Sequence, residues 1–152
     1  MIRPPMAKTY FDTGALVKLY IVEHSSTFVQ NLAQRSGVIG LNPLQETEVR
    51  NAILAAGGRR TITREAARRS LENLDEDLQT GVFFRESPDW AWIYRRADLM
   101  ARQYTARFLC RTLDILHVAA AELAGADRIV TGDTRQQKLA KAIGLKVLKI
   151  PA

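Results

Sequence analysis

Four acidic residues stand where a solvated surface charge is not the simplest account of them. Asp12 closes the short β-prone run Thr9-Tyr10-Phe11, and Asp133 follows a second such run, Arg128-Ile129-Val130-Thr131, after Gly132. Glu48 adjoins Val49 in a helical pattern, and Asp114 opens the apolar run Leu113 to Ala124. Each has an ordinary structural alternative. Asp12 is a good helix cap, Asp114 suits a helix N-terminus, Asp133 suits a turn, and Glu48 can be solvated or paired with Arg50. Their joint pattern carries more. In an open α/β sheet, ligands gather outside the carboxyl ends of the strands. Parallel strands would bring Asp12, Asp133 and the starts of the following helices to one such edge. Carboxylates packed together repel, and a hard divalent cation, Mg²⁺ or Mn²⁺, relieves the repulsion with oxygen ligands. Such a cation lowers the pKa of a water, and a second one about 4 Å away stabilises the leaving oxygen of a phosphodiester. The expected chemistry is metal-dependent phosphodiester hydrolysis. The two histidines, His24 and His117, have no nucleophile in a recognisable elbow, so a Ser/His/Asp arrangement does not compete.

The elements that must position these acids follow from periodicity and punctuation. A strand is expected at about 8–12, then a helix at about 14–22 with Leu16, Leu19 and Tyr20 on one face. The cluster His24 to Thr27 caps a second helix, whose apolar side is Phe28, Val29, Leu32 and Ala33. Gly37 to Leu41 reads as a short buried strand. Asn42-Pro43 opens a third helix, which carries Glu48 and ends at Gly57-Gly58. Thr63 caps a helix with the line Ala67, Leu71, Leu74 and Leu78, stopped by Gly81. Val82 to Phe84 reads as another strand or an extended link. A helix from Ser87-Pro88-Asp89 is expected to carry Trp90, Tyr94, Ala97, Ala101 and Tyr104 on one face, with Arg95 and Arg102 on another. Leu113 to Ala124 is a buried central helix. A strand at 128–131, a helix at about 134–143 and a strand at 145–148 complete the chain. Strands alternate with helices, which predicts a three-layer α/β/α fold: a twisted parallel sheet of four to five strands with helices on both faces.

The 152 residues suggest one domain, 1–152, with 1–7 as a loose leader. A hydrophobic share of 47% can supply a full core. Lys and Arg number 22 against 16 Asp and Glu, a net charge of +6, which points to a polyanionic partner such as nucleic acid. Cys110 is the single cysteine, so no intrachain disulfide is possible; its apolar neighbours suggest a buried thiol in a reducing cytoplasm. No run has the length of a signal peptide's apolar region or of a membrane span, so a soluble, cytoplasmic protein is expected.

The run Tyr10-Phe11-Asp12-Thr13-Gly14-Ala15-Leu16-Val17-Lys18-Leu19-Tyr20 resembles the PIN-domain family. So do Glu48-Val49-Arg50-Asn51-Ala52, Leu113 to Ala121, and Ile129 to Asp133 with Ala142 to Val147. Within the family the likeness is to VapC-type toxins of prokaryotic toxin–antitoxin pairs, and it spans about residues 8–149. No single motif is specific, but four in order are. The resemblance implies a Mg²⁺- or Mn²⁺-dependent endoribonuclease. Asp12 and Asp114 would be the principal metal ligands, and Glu48 and Asp133 would complete the site directly or through water. Thr13 and Thr131 match small hydroxyl positions that orient the ligands. Tyr104 lies where the family often has a histidine. The resemblance also implies a homodimer and an antitoxin that inserts an arm into the site, and the segment Val82 to Arg107 is the expected docking region.

Other residues have competing roles. Arg59, Arg60, Arg64 and Arg68 could touch RNA phosphates, or form a solvated helix face paired with Glu65 and Glu72. Trp92 is the aromatic best placed for an exposed contact with a base, while Trp90 and Tyr94 suit a core or interface. His117 suits a packed, hydrogen-bonded position. Two alternatives to the ribonuclease stay open: an RNA- or partner-binding scaffold without catalysis, and a DNA-cleaving or flap-type nuclease.

Overall fold

The structure is a computed structural model describing residues 7–152, so most of the expected leader, residues 1–6, lies outside the described residues. The chain divides into two compact units. One comprises the described residues up to Phe11 together with Pro88–Lys149; the other comprises Asp12–Ser87 with Ile150–Ala152.

The first unit is built on three parallel strands in the order β1 (Thr9–Phe11), β4 (Arg128–Thr131), β5 (Lys146–Lys149). Phe11 pairs in register with Val130, and Val130 with Leu148. The central strand β4 buries Ile129, Val130 and Thr131 completely. Parallel strands buried on both faces read as continuous apolar runs, which is why this segment stands out in the sequence. Helix α5 (Trp90–Met100) begins at Asp89, whose carboxylate accepts the Trp92 N–H. It continues through a π-helical turn (Ala101–Thr105) into the short α6 (Ala106–Phe108). Helix α7 (Thr112–Leu123) buries every residue from Asp114 to Ala121. The Arg96 guanidinium grips the Glu122 carboxylate at 2.6 and 3.1 Å and ties α5 to α7. Helix α8 (Thr134–Ala142) lies between β4 and β5 in the chain, the crossover that a parallel strand pair requires.

The expected inner face of α5 is corrected by the structure. Ile93, Ala97 and Met100 are buried, whereas Tyr94 is 58% exposed. The apolar Ile93, Ala97 and Met100 fill the core, while Trp90, Ala101 and Tyr104 are half-buried beside it. Trp92 is exposed as expected, with the Arg95 guanidinium over its ring at 5.6 Å.

The second unit holds α1 (Thr13–Val17), α2 (Ser26–Arg35), β2 (Ile39–Leu41), α3 (Pro43–Gly58), α4 (Arg64–Thr80) and β3 (Phe83–Arg85). Strands β2 and β3 pair in parallel, with Ile39 opposite Phe83. The described strands are thus five and all parallel, as expected for the α/β class, but their hydrogen bonds form two ladders, of three strands and two. Helix α1 stops at Val17 rather than near residue 22. The chain there tightens into turns, with the N–H groups of Lys18, Leu19 and Tyr20 each bonding the carbonyl three residues back. Tyr20 is drawn out of the helix line by long-range partners: its hydroxyl donates to Asp77 at 2.6 Å, and its carbonyl accepts the Ser70 hydroxyl at 2.9 Å. Burial, with Asp77 adding, pushes the Tyr20 phenol far above its ordinary range, so it stays neutral.

Asn42 caps α3 reciprocally with Gln45: each side chain accepts the other residue's backbone N–H, at 2.9 and 2.8 Å. Glu46, one turn on, receives both Arg85 from β3 and Arg50 from its own helix. The Arg85 hydrogen bond, with Arg50 adding, holds the Glu46 carboxyl below the usual carboxylate range. This network fixes the helix that carries Glu48. Among the described residues, no helix is long and apolar enough to cross a membrane.

Candidate metal centre

Asp114 sits in the first turn of α7 and is only 5% exposed. Three donors from Arg111 address it. The Arg111 backbone N–H reaches Oδ2 at 2.9 Å, its Nε reaches the same oxygen at 3.2 Å, and its Nη2 lies 3.5 Å from Oδ1. The first bond is a cap on α7, so the structural role weighed for Asp114 is present, but it engages one oxygen only. The Arg111 Nη2 also lies 3.0 Å from Oδ2 of Asp133. One guanidinium therefore spans two carboxylates that stand 19 residues apart in sequence, counting from 114 to 133.

Asp133 is held by its own neighbours. Its Oδ1 accepts the Gln136 N–H at 3.0 Å, capping α8, and its backbone N–H donates to the Thr131 hydroxyl at 3.1 Å. Thr131 is fully buried, and its carbonyl accepts the Gln137 side-chain amide at 3.2 Å. The end of β4 is thereby stitched to the first turn of α8, which sets where the Asp133 carboxylate points. Burial, with Asp114 and Asp133 adding, pushes the nearby Cys110 thiol up. Cys110 is buried as expected and is not an activated nucleophile at neutral pH.

Asp12 follows β1 directly and is 7% exposed. Its Oδ1 accepts the Ala15 N–H at 2.7 Å, and it caps α1, of which Thr13 is the first residue. Glu48 lies half-buried on α3. The guanidinium of Arg50 reaches Glu46 and Asp75. Asp12, Thr13 and Glu48 belong to the second unit, and Asp114, Thr131 and Asp133 to the first. Among the described residues, no three His, Cys, Asp or Glu side chains are grouped so as to hold a metal ion. Within the first unit, Asp114 and Asp133 share one cation, the Arg111 guanidinium. The donor chemistry of the pair suits Mg²⁺ or Mn²⁺, since such ions need only one or two protein carboxylates and fill the remaining positions with water. The Arg111 guanidinium supplies positive charge to both carboxylates.

His117 is buried, with Nδ1 2.8 Å from the Tyr10 hydroxyl, which is the packed role expected for it. His24 is exposed, and its Nε2 lies 2.6 Å from the Ala152 carbonyl oxygen. Of the arginines proposed for RNA, Arg68 is engaged by Glu65 and Glu72 on its own helix, the solvated-face alternative. Arg59, Arg60 and Arg64 are exposed.

Arg111 was not singled out by sequence reasoning. Its signal was a cation three residues before a carboxylate that opens an apolar helix, a spacing that places the two on one helical face. The loop that presents it is unusual. Leu109, two residues earlier, is 68% exposed and adopts a left-handed backbone with φ 55°. A leucine there costs backbone energy without gaining burial. Leu109→Gly is therefore expected to raise unfolding free energy by about 1 kcal/mol, read by denaturant titration. A loss of stability would mean that the leucine contributes packing outweighing its backbone conformation.

The PIN-domain family model matches residues 9–142. This chain belongs to the PIN-domain family. It is 29% identical over 148 residues to Ribonuclease VapC46 of Mycobacterium tuberculosis (strain ATCC 25618 / H37Rv), a match covering 94% of this chain and 98% of that protein. Among solved structures it resembles FitAcB from Neisseria gonorrhoeae, with a TM-score of 0.62 at 14% identity, covering 93% of this chain and 96% of that one. At that identity the likeness concerns fold alone. A PIN-like mixed α/β fold with parallel strands agrees with the order of elements expected from the sequence.

Proposed function

We propose that this PIN-domain protein is a Mg²⁺- or Mn²⁺-dependent endoribonuclease acting in the cytoplasm as the toxin of a VapBC-type pair. The observation that carries the reading is the pair of carboxylates, Asp114 and Asp133, held on one cation in a chain of this family and similar to a named ribonuclease. Asp12, Glu48, Asp114 and Asp133 are the acidic set, with Asp12 and Asp114 as principal ligands. Thr131 orients Asp133 by accepting its N–H, and Thr13 is assigned the matching role beside Asp12.

Asp12, Glu48, Asp114 and Asp133 would hold a divalent cation, which would supply positive charge to activate water and to stabilise the departing oxygen of the phosphodiester. The protein's own part is positional. Caps on α1, α7 and α8 each use a carboxylate oxygen of Asp12, Asp114 and Asp133, and so lock the three side chains into single orientations. Exposed Arg59, Arg60 and Arg64 would draw the RNA backbone. A cognate antitoxin and a second copy of the chain are the proposed protein partners, docking on the Val82 to Arg107 segment, where Phe84, Trp92, Tyr94 and Leu99 are exposed.

The test is RNA cleavage by the purified protein. Cutting is expected with Mg²⁺ or Mn²⁺ and none in excess EDTA; undiminished cutting in EDTA would overturn the metal-dependent reading. Cleavage of DNA but not RNA would select the flap-type alternative.

A further inference from the structure

Arg111 is a second cation placed where the proposed function needs a first. We infer that Arg111 is a built-in latch: its guanidinium occupies the Asp114–Asp133 pair as a resident counter-cation, and a divalent ion loads only by displacing it. The inference rests on the proposed metal site and adds a control to it.

The geometry favours a latch over a structural pillar. The guanidinium addresses both carboxylates, at 3.2 and 3.0 Å, yet its side chain is 65% exposed, while that of Asp114 is only 7% exposed. The guanidinium end of the pair is solvated and can leave for water, whereas the enclosed Asp114 carboxylate then calls for another cation. The backbone N–H of Arg111 makes the cap to Asp114 independently of the side chain, so the start of α7 keeps its anchor when the guanidinium leaves. Asp133 likewise keeps the Gln136 N–H on its Oδ1, and its backbone N–H stays bonded to the Thr131 hydroxyl. The backbone N–H bonds to the two carboxylates do not involve the guanidinium and survive its departure. What is lost is one positive charge against two negative ones, and a divalent cation restores it twice over. A guanidinium and a metal ion compete for the carboxylate oxygens of Asp114 and Asp133, so binding of one weakens the hold of the other. The metal's apparent affinity is then reduced by the fraction of molecules with the latch closed.

The experiment compares Mn²⁺ binding to the full chain and to Arg111→Gln, by calorimetry and by the EPR signal of free Mn²⁺. Removal of the latch is expected to tighten Mn²⁺ binding about fivefold, the size of one exposed ion pair removed from competition. An equal or weaker affinity in the variant would overturn the latch and make Arg111 a clamp that pre-positions the acids. A second measurement needs no variant to fold well. The Arg111 side-chain Nε–H resonance of the wild-type chain is followed through a Mg²⁺ titration, with backbone amides around Asp114 reporting occupancy. The latch requires that resonance to move to the exposed, fast-exchanging position as the amides shift; a resonance that stays fixed while Mg²⁺ binds would sink it. Absence of Mn²⁺ binding in both proteins would instead remove the metal reading itself, and the latch with it.

Discussion

Asp114→Asn is expected to lower RNA cleavage by about 10²–10³-fold with little change in unfolding free energy. The substitution separates charge from shape. Asparagine keeps an oxygen that can accept the Arg111 backbone N–H, so the α7 cap persists. It removes the negative charge, and with it both the attraction for Arg111 and the hard anionic donor that a divalent cation prefers. The Asp114 side chain is nearly enclosed, so no other surface carboxylate can slide into its place. Activity is measured on a defined RNA with saturating Mg²⁺, and stability by denaturant titration on the same sample. Undiminished cleavage would show that the acid pair does no chemistry. Equal losses of cleavage and of folded protein would show that Asp114 is structural, the alternative that its cap on α7 keeps in view. Asp12→Asn serves as the companion measurement on the other unit.

What the sequence made legible was local, and what it hid was tertiary. The buried helix from Leu113 and the strand at 128–131 stand out because their apolar runs are continuous, and Asp12, Asp114 and Asp133 stand out as charges at the ends of such runs. The caps by Asn42, Thr63 and Asp89 follow from residue type alone. The pairing of strands did not follow, because hydrogen bonding into ladders of three and two depends on partners far along the chain. The inner face of α5 was displaced because Ala97 belongs to both candidate stripes, and only the competition of Ile93 and Met100 with Tyr94 for burial decides between them. The π-helical turn at Ala101–Thr105 adds to this, since it breaks the 3.6-residue phase on which a stripe through Tyr104 relies. The reach of Arg111 to Asp133 was hidden for the same kind of reason: that bond joins two segments whose approach is set by α7 and β4, not by any spacing a reader could count.

Phe11→Ala is expected to cost about 3–5 kcal/mol of stability, the range for truncating a fully buried aromatic side chain. Phe11 has no solvent exposure, and its strand partner is Val130 on the central strand, itself fully buried. Strand β1 has only three residues, so little else can hold its register if the ring is lost. A side chain of this size leaves a void that a close-packed sheet cannot collapse into, because its neighbours Ile129 and Val130 are fixed by ladder hydrogen bonds on both sides. For a chain of this length the loss corresponds to a fall in melting temperature of about 10 °C. The consequence extends beyond stability, because the next residue is Asp12. A β1 that frays at its carboxyl end no longer delivers that carboxylate at a fixed height above the sheet, so the folded fraction of Phe11→Ala should also cut RNA more slowly per molecule than wild type. Thermal unfolding and cleavage are therefore measured together, below the melting transition. A variant that melts with the wild type would show that β1 contributes little to the core, and one that melts early yet cuts normally would show that the position of Asp12 is set by its cap on α1 rather than by the strand that precedes it.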